Sequence, residues 1–533
     1  MRLQRVEVNN FRCFSTFDLD VGGESLLVIG SNSGGKTSLH TAIRRALRGG
    51  SVELSEFRDQ TAAAELIATV DAIPPAAQGP FADALRFTTN PPSLRVGLRA
   101  TWDATERRVD SVHGFPDDGW RPVTREGRTH LPVLSLGAWC DAGRLVSVAG
   151  RQSLLQELIV DLDLDHQIAA AVTSVTAASQ QLAQAQPLRQ VLGDLDGELA
   201  RVLPRAGAGA FSLGIDVAEP YDILRQFQLE VAHRGPSTPV AAHSAGVTQA
   251  SIFALALRLL AARPEALLLV DEPEIALHAH AQRALVTALR DTAAQSVIAT
   301  HSPAVLNNAD PRDVTRLRRT ATGDTDPVRA TGLTEEQARK LTRYATSLSA
   351  EAYFAETVIL VEGYSDLLAV RVLAATLGIA LDAAGVSVLS LEGGSLFVHY
   401  LGLLGPGGLQ VNLRGLCDDD KVQEWINRLG AVGLPVHDRA SYVAAGFQVC
   451  DPDLEGVLVG ALTEQEVQVA IDAEGGLAEL QMYAGQPSQA GMTSAQIQLA
   501  FIKNDKIRWV PVIASAVPAA AVPQPLRDLV ANL

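Results

Sequence analysis

The sequence predicts an α/β protein of two modules, each built on a parallel sheet, with a helical arm inserted in the first. Three observations carry that reading. Near the N-terminus an apolar strand (25–30, SLLVIG) runs straight into a glycine-rich turn and then a helical stretch (36–48, KTSLHTAIRRALR). From Leu154 to Leu203 the composition shifts to Leu, Ala, Gln and Asp, with apolar residues at helical spacing. After 357 strand, helix, strand, helix and strand alternate, the order of a second, smaller parallel sheet. The first module is therefore placed at 1–345, its helical insert at about 150–205, and the second module at 355–533.

Each element follows from its pattern. Residues 3–8 (LQRVEV) alternate like a half-buried strand, and strands with turn-rich punctuation (PPAAQGP, FPDDGW) continue to about 150. The insert reads as two or three long helices. Gly/Pro-rich segments at 204–210 and 234–243 bracket a short strand region. A helix at 247–262 leads to an apolar strand, Ala266–Val270, and a further strand runs Ser296–Thr300. The loose segment 320–334 (TATGDTDPVRATGLT) marks the domain boundary. Beyond it come TVILVEG (strand), YSDLLAVRVLAATLG (helix), VSVLSL (strand), SLFVHYLGLLG (helix) and LRGLCDDD (strand). The region after 460 is mostly helical and ends in an Ala/Pro-rich tail.

Composition limits the function classes. With 533 residues, 47% of them hydrophobic, the chain can bury cores for about two to four domains. The 4 cysteines (Cys13, Cys140, Cys417, Cys450) lie far apart, which excludes a disulfide scaffold and a zinc ribbon and fits a reducing cytoplasm. The opening MRLQRVEVNNF lacks the apolar core of a signal peptide, and Arg371 and Asp382 interrupt the apolar stretch 367–389, so no membrane span is expected. A balance of 44 basic against 60 acidic residues, net −16, excludes a general nucleic-acid coat; a polyanion would need local basic patches or metal ions.

Two clusters carry chemistry. Gly30-Ser31-Asn32-Ser33-Gly34-Gly35-Lys36-Thr37, with Ser38 following, fits G-x(4)-G-K-[ST] between a strand and a helix. Glycines let backbone N–H groups wrap phosphates, Lys36 reaches the terminal phosphates, and the Thr37 hydroxyl ligates Mg²⁺. The strand Ala266–Val270 ends in Asp271, suited to hold that Mg²⁺, and Glu272, suited to polarise the attacking water. His301 stands at the next strand end, placed to touch the γ-phosphate of ATP. This set resembles the ABC-type ATPases of the SMC/RecF/OLD group. Asn10-Phe11-Arg12 resembles the entry strand, Asp271–Glu274 with Leu277-His278 the Walker B and D-loop region, and Ser244–Gln249 (SAGVTQ) the signature motif. The motifs do not place the Q-loop glutamine, for which Gln60 is only a weak candidate. Gly34 stands where Ser or Ala is more usual, and Ala279 where Pro is common. In that group the signature helix of one subunit faces nucleotide held by another, so Ser244 and Gly246 are assigned to the nucleotide and a homodimer is implied.

The second cluster begins at Glu362-Gly363, on a strand-to-helix turn, with Asp366 one turn on. Asp418-Asp419-Asp420 closes a later strand. Acids at the C-terminal ends of parallel strands converge on one sheet edge, where such folds bind ligands. Alternation puts Asp418 and Asp420 on one face and Asp419 on the other. Clustered carboxylates repel one another unless a hard divalent cation neutralises them. The pattern resembles a TOPRIM domain, and Glu362-Gly363-x-x-Asp366 its OLD form. Glu392-Gly-Gly394-Ser395 resembles the family's Gly-rich turn, Asp453-Leu-Glu455 its downstream acidic motif, and Lys506 or Lys503 its catalytic lysine.

The order of modules over about residues 1–460 resembles the OLD ("overcoming lysogenization defect") family of ATP-linked nucleases. The resemblance implies a Rossmann-like TOPRIM domain after a RecF/SMC-like ATPase, and a DNA endonuclease regulated by ATP, associated with anti-phage defence or DNA processing. It implies Mg²⁺ or Mn²⁺, with one ion beside ATP and two in the TOPRIM site, held by Glu362, Asp366, Asp418, Asp420 and Glu455. Glu362 serves as ligand or general base and Lys506 offsets charge on the phosphorus. The implied partners are DNA and a second copy of the chain, joined through the ATPase module and the arm, with room for a larger assembly or an accessory defence protein. A RecF-like DNA-binding ATPase with a non-cleaving TOPRIM domain is the alternative, and an enzyme of RNA or free nucleotides a third class. A topoisomerase would need a nucleophilic tyrosine, and none of the 7 tyrosines has such a context.

Overall fold

The computed structural model describes residues 1–533 except 125–126, 129, 138–144, 148–152, 161, 163, 203–226, 233–235, 308, 345–346, 393, 395 and 532. The Gly/Pro-rich stretch 204–210, the ends of the helical insert, Cys140, and Gly393 and Ser395 of the Gly-rich turn lie outside the described residues.

The first module pairs two six-stranded sheets. One is antiparallel and contains β1 (Arg2–Phe11), β2 (Phe14–Asp20), β4 (Ala64–Asp71), β5 (Leu94–Asp103), β6 (Arg108–Phe115) and β7 (Arg121–Pro122), ordered β2-β1-β4-β5-β6-β7. The other holds the phosphate-loop strand β3 (Leu26–Gly30) and has the order β14-β13-β3-β12-β11-β8. Its members are β8 (Val133–Leu136), β11 (Leu267–Asp271), β12 (Gln295–Ala299), β13 (Val314–Arg319) and β14 (Thr325–Arg329). Strands β3, β11 and β12 are fully buried, which explains their continuous apolar runs rather than alternation. Helix α1 (Lys36–Arg48) lies between the sheets, burying Leu39, Ile43 and Leu47. Between the two-residue strands β9 (Glu230–Val231) and β10 (Thr238–Pro239) and strand β11, helix α2 (Ala245–Ala262) is long and apolar enough to cross a membrane by length and composition; here Ile252, Phe253, Ala256 and Leu259 are packed into the core. The insert contains a short helix, Leu154–Val160, and two longer ones, Asp165–Ala183 and Gln186–Val202.

One expectation fails here. Segment 320–334 is not a boundary: its first residues turn a hairpin, and β14 pairs antiparallel with β13 as the edge of the nucleotide-binding sheet. Pairing, not composition, decides this, because Thr320 closes the turn through its backbone and hydroxyl bonds to Asp324.

The second module is a parallel sheet of order β16-β15-β17-β18. It is built from β15 (Thr357–Val361), β16 (Val386–Ser390), β17 (Asn412–Asp418) and a fourth strand, β18 (Phe447–Cys450), that the sequence pattern did not separate from its surroundings. Helix α3 (Tyr364–Thr376) follows β15. The C-terminal helices, among them α4 (Leu454–Gly460), α5 (Ser494–Asn504) and α6 (Lys506–Ala516), cover the sheet. The Ala/Pro-rich tail ends in a short helix, Gln524–Val530, with Leu526, Leu529 and Val530 buried. Each module buries a core of its own, Leu3, Phe14 and Leu66 among the residues of the first and Ile359, Leu373 and Trp509 among those of the second, and a third cluster bridges them. This third cluster joins Leu27, Ile298 and Leu333 of the first to Val358, Leu360 and Leu413 of the second.

Candidate functional site: a phosphate loop and an acidic cluster

The phosphate loop is shaped by three glycines that tolerate no side chain. Gly30 has φ 155°, and a Cβ there would sit 2.6 Å from the Leu317 carbonyl oxygen. Gly35 has φ 102°, and a Cβ would meet Cys13 Sγ at 2.8 Å. At Gly34, where a Ser or Ala is more usual in the group it resembles, a Cβ would stand 2.9 Å from the Ser31 carbonyl oxygen, which accepts the Gly34 N–H at 3.0 Å. The glycine is thus demanded by the tightness of this loop. Lys36 is buried and donates to the carbonyls of Gly30 (2.9 Å) and Ser31 (3.0 Å). Burial lowers its pKa to about 8 against the pull of Glu272, Asp271 and Glu274.

Strand β11 delivers Asp271, which is 3% exposed and has one carboxylate oxygen, Oδ1, buried without a partner. Burial raises its pKa, while the Thr37 hydroxyl and Lys36 pull it down. Buried polar atoms are nearly always satisfied, so an orphaned carboxylate oxygen beside a hydroxyl fits a divalent cation. Glu272 adopts a left-handed backbone (φ 53°), an unusual conformation for Glu that turns its side chain off the strand. His301 Nε2 lies 3.8 Å from Glu272 Oε1. A residue given no role by the sequence reading, Glu274, holds this corner: it accepts the His301 N–H and, at 2.9 Å, the Thr300 hydroxyl. Its signal was present as the second acid of Asp271-Glu-Pro-Glu274.

Other expected nucleotide residues stand as follows. Ser244 caps α2 with no side-chain bond to the helix, and Gly246 lies in its first turn. Asn10, at φ 54°, clamps the loop carrying Gln60: its amide donates to the carbonyls of Asp59 (2.7 Å) and Ala62 (2.8 Å). Gln60 itself is exposed.

The acidic cluster forms at the C-terminal edge of the second sheet. Glu362 follows β15 and accepts the Asp418 N–H at 2.9 Å through Oε1, tying the ends of β15 and β17 together. Asp366, in the first turn of α3, accepts the Gly363 N–H at 2.9 Å. Asp418 accepts the Leu454 N–H at 3.0 Å, which brings in the start of α4. Glu455, on that helix, is 1% exposed, and Lys506 Nζ approaches its carboxylate at 3.0 Å. Lys503 turns elsewhere, onto Asp453. Of the two lysines, Lys506 is the one whose charge is felt by Asp366 and Asp418.

The alternation argument for Asp420 is overturned. Strand β17 stops at Asp418, and residues Asp419–Lys421 wind into a 3₁₀ turn, so the period of two no longer applies. Asp420 is exposed and pairs with Lys421 at 3.1 Å, though it still adds to the field at Glu362. Asp419 pairs with Arg439 at 2.6 Å.

Electrostatically the cluster is loaded. Burial and then the Glu362 charge push Asp418 up to about 7. Burial also raises Glu362 and Asp366, each reinforced by a neighbouring carboxylate. Among the described residues no three acids, imidazoles or thiols form a ready-made cage. The donor set is nevertheless all carboxylate, and its mutual repulsion is what a hard divalent ion relieves. Glu362, Asp366 and Asp418 are the residues that would hold one.

Comparison with known proteins agrees with this layout. A family model described as an AAA domain of a Type IV TA system matches residues 164–307. One described as the TOPRIM domain of overcoming lysogenization defect-like proteins matches 353–420. The OLD nuclease of Thermus scotoductus is 26% identical over 423 residues, covering 73% of this chain and 77% of that protein. Solved structures that align with it include an SMC head bound to the C-terminal winged-helix domain of ScpA (14% identity, TM-score 0.40, covering 64% of this chain and 100% of that one). Another is the C-terminal region of the Burkholderia pseudomallei OLD protein (25% identity, TM-score 0.27, covering 33% and 95%). The chain thus carries an ATPase domain followed by an OLD-like TOPRIM domain, and it is similar to an OLD nuclease over most of its length.

Proposed function

We propose that the chain is a DNA endonuclease that depends on a divalent metal in its TOPRIM domain and is regulated by ATP at the phosphate loop. The observation that carries this reading is the convergence of Glu362, Asp366 and Asp418 at one sheet edge, with Lys506 and Glu455 behind them, in a chain that also holds a complete phosphate loop. At the first site the loop amides and Lys36 bind the phosphates, Thr37 and Asp271 hold Mg²⁺, and Glu272 takes the proton of the attacking water with His301 beside it. Glu274 fixes the His301 backbone. At the second, Glu362, Asp366 and Asp418 carry the metal, with Asp420 at its exposed rim. When bound, the metal supplies Lewis acidity toward the scissile phosphate and an activated water. Lys506 counters charge building on the phosphorus. The two-metal arrangement and Mg²⁺ as the natural ion belong to this proposal.

The chain is further read as a cytoplasmic homodimer. Ser244 and Gly246, at the start of α2, face the partner's nucleotide, and the helices between 154 and 202 form part of the contact. Anti-phage defence is the biological setting the resemblance favours. Supercoiled plasmid incubated with Mg²⁺ or Mn²⁺ tests the activity: nicking that chelator abolishes supports it. Protein that leaves the plasmid intact with every metal supports the non-cleaving, RecF-like alternative instead. Deleting the arm should yield monomers by light scattering.

A further inference from the structure

Where the modules meet, a cavity of about 370 Å³ has one wall from each. The first contributes Gly30 and Asn32 of the phosphate loop together with His301; the second contributes Arg371, Asp382 and Ser387. A cation from the TOPRIM domain therefore lines the space on which the phosphate loop and His301 open. Among the described residues Arg371 makes one ion pair. Its contact is Asp382 at 3.6 Å, with the two side chains 44% and 88% exposed, and so open a pair contributes little.

The two walls are also held at fixed spacing. Arg316 of β13 is 4% exposed and reaches out of the first module into the second. It donates to the carbonyl of Ala355 at 2.9 Å and to those of Leu409 (3.3 Å) and Gln410 (3.4 Å). The next residue, Leu317, is the one whose carbonyl backs Gly30. The cavity wall that carries Arg371 is thus kept facing the phosphate loop by the Arg316 hydrogen bonds and the shared apolar cluster. Helix α3 carries Arg371 in its middle and Asp366 of the acidic cluster in its first turn, so both belong to one rigid element.

We propose that Arg371 is a reader of the nucleotide's terminal phosphate, acting within one chain. A triphosphate draws the guanidinium from Asp382, a diphosphate does not, and helix α3 relays the difference to Asp366. The inference rests on the assignment of the phosphate loop as an ATP site. Its chemistry is the preference of a guanidinium for a phosphate dianion over an exposed carboxylate.

The test is equilibrium binding to the full chain with Mg²⁺, using fluorescent ADP and a fluorescent non-hydrolysable ATP analogue. Arg371→Ala should weaken the triphosphate about tenfold while leaving the diphosphate within about twofold. Arg371→Lys should restore part of the loss, and Asp382→Ala should tighten the triphosphate. An unchanged triphosphate-to-diphosphate ratio in Arg371→Ala, or equal loss of both, overturns the proposal and leaves the ATP site standing. Wild-type protein that binds neither nucleotide overturns the ATP site and this proposal with it. Absence of plasmid nicking strikes only the nuclease assignment, because the binding ratio does not depend on it.

Discussion

At residues 30–37 the chain gathers its phosphate donors from eight consecutive positions, whereas the acidic cluster draws on Glu362, Asp366, Asp418, Glu455 and Lys506 from five elements. The two sites also carry opposite charge problems. In the phosphate loop burial lowers the pKa of a lysine to about 8, and its ammonium is satisfied by its own loop carbonyls. In the cluster, burial works on carboxylates that also repel one another, and Asp418 is driven to about 7. A loop of backbone amides is finished when the chain folds. A set of crowded acids keeps a repulsion that a cation would relieve, and its geometry depends on hydrogen bonds that link separate elements. The difference teaches which mutations travel: damage to the loop stays local, while damage to the cluster reaches every element it ties together.

The largest effect expected from this contrast is at Asp418. Asp418→Ala should lower plasmid nicking by a factor on the order of 100 or more, because it removes a proposed metal ligand and the acceptor of the Leu454 N–H together. ATP hydrolysis should persist. Asp419→Ala, which breaks only an exposed pair with Arg439, should change nicking by less than about threefold. Equal loss in both variants would break the comparison.

The next pair sharpens the picture of the first site. Glu272→Gln should bind nucleotide normally and lose turnover by roughly 100-fold, the usual scale for a general base. Glu274→Gln should cost turnover only about tenfold, since it loosens the His301 backbone and Thr300 without touching the loop. Measured turnover and nucleotide affinity separate the two; a Glu274 variant that fails to bind nucleotide would place that residue in the cradle itself.

A separate effect concerns stability and leaves both sites untouched. His40 on α1 is buried against β11 and β8, and burial lowers its pKa from 6.5 to about 4. Between those values the unfolded chain binds a proton that the folded chain does not. Its contribution is therefore complete above about pH 6.5 and is lost as pH falls toward 4, on the order of 3 kcal/mol. Thermal melts of wild type and His40→Gln across that window should converge as the pH drops; parallel curves would show that His40 is protonated in the fold.

Much of the phosphate site was legible because its chemistry is written in contiguous letters between a strand and a helix. The paired acids at 271–272 and 362–366 were legible for the same reason. The face of Asp420 was misread because alternation holds only while a strand lasts, and β17 ends two residues earlier. Strand β18 escaped notice because a four-residue run inside a helical region has no period of its own. Segment 320–334 has the composition of a linker, yet pairing with β13 makes Thr325–Arg329 within it a strand. Arg316 and Arg371 could not be found at all: nothing in either one's neighbourhood in sequence announces that it meets the other module.

Arg316 also changes how the molecule should come apart. Proteins of several modules commonly unfold in separate steps. Here drawing the TOPRIM half away would strand a guanidinium against an apolar seam and leave the carbonyls of Ala355, Leu409 and Gln410 without their donor. The two halves should therefore melt as one cooperative unit, and a half excised at this seam should need a substituted surface before it behaves as a stable fragment.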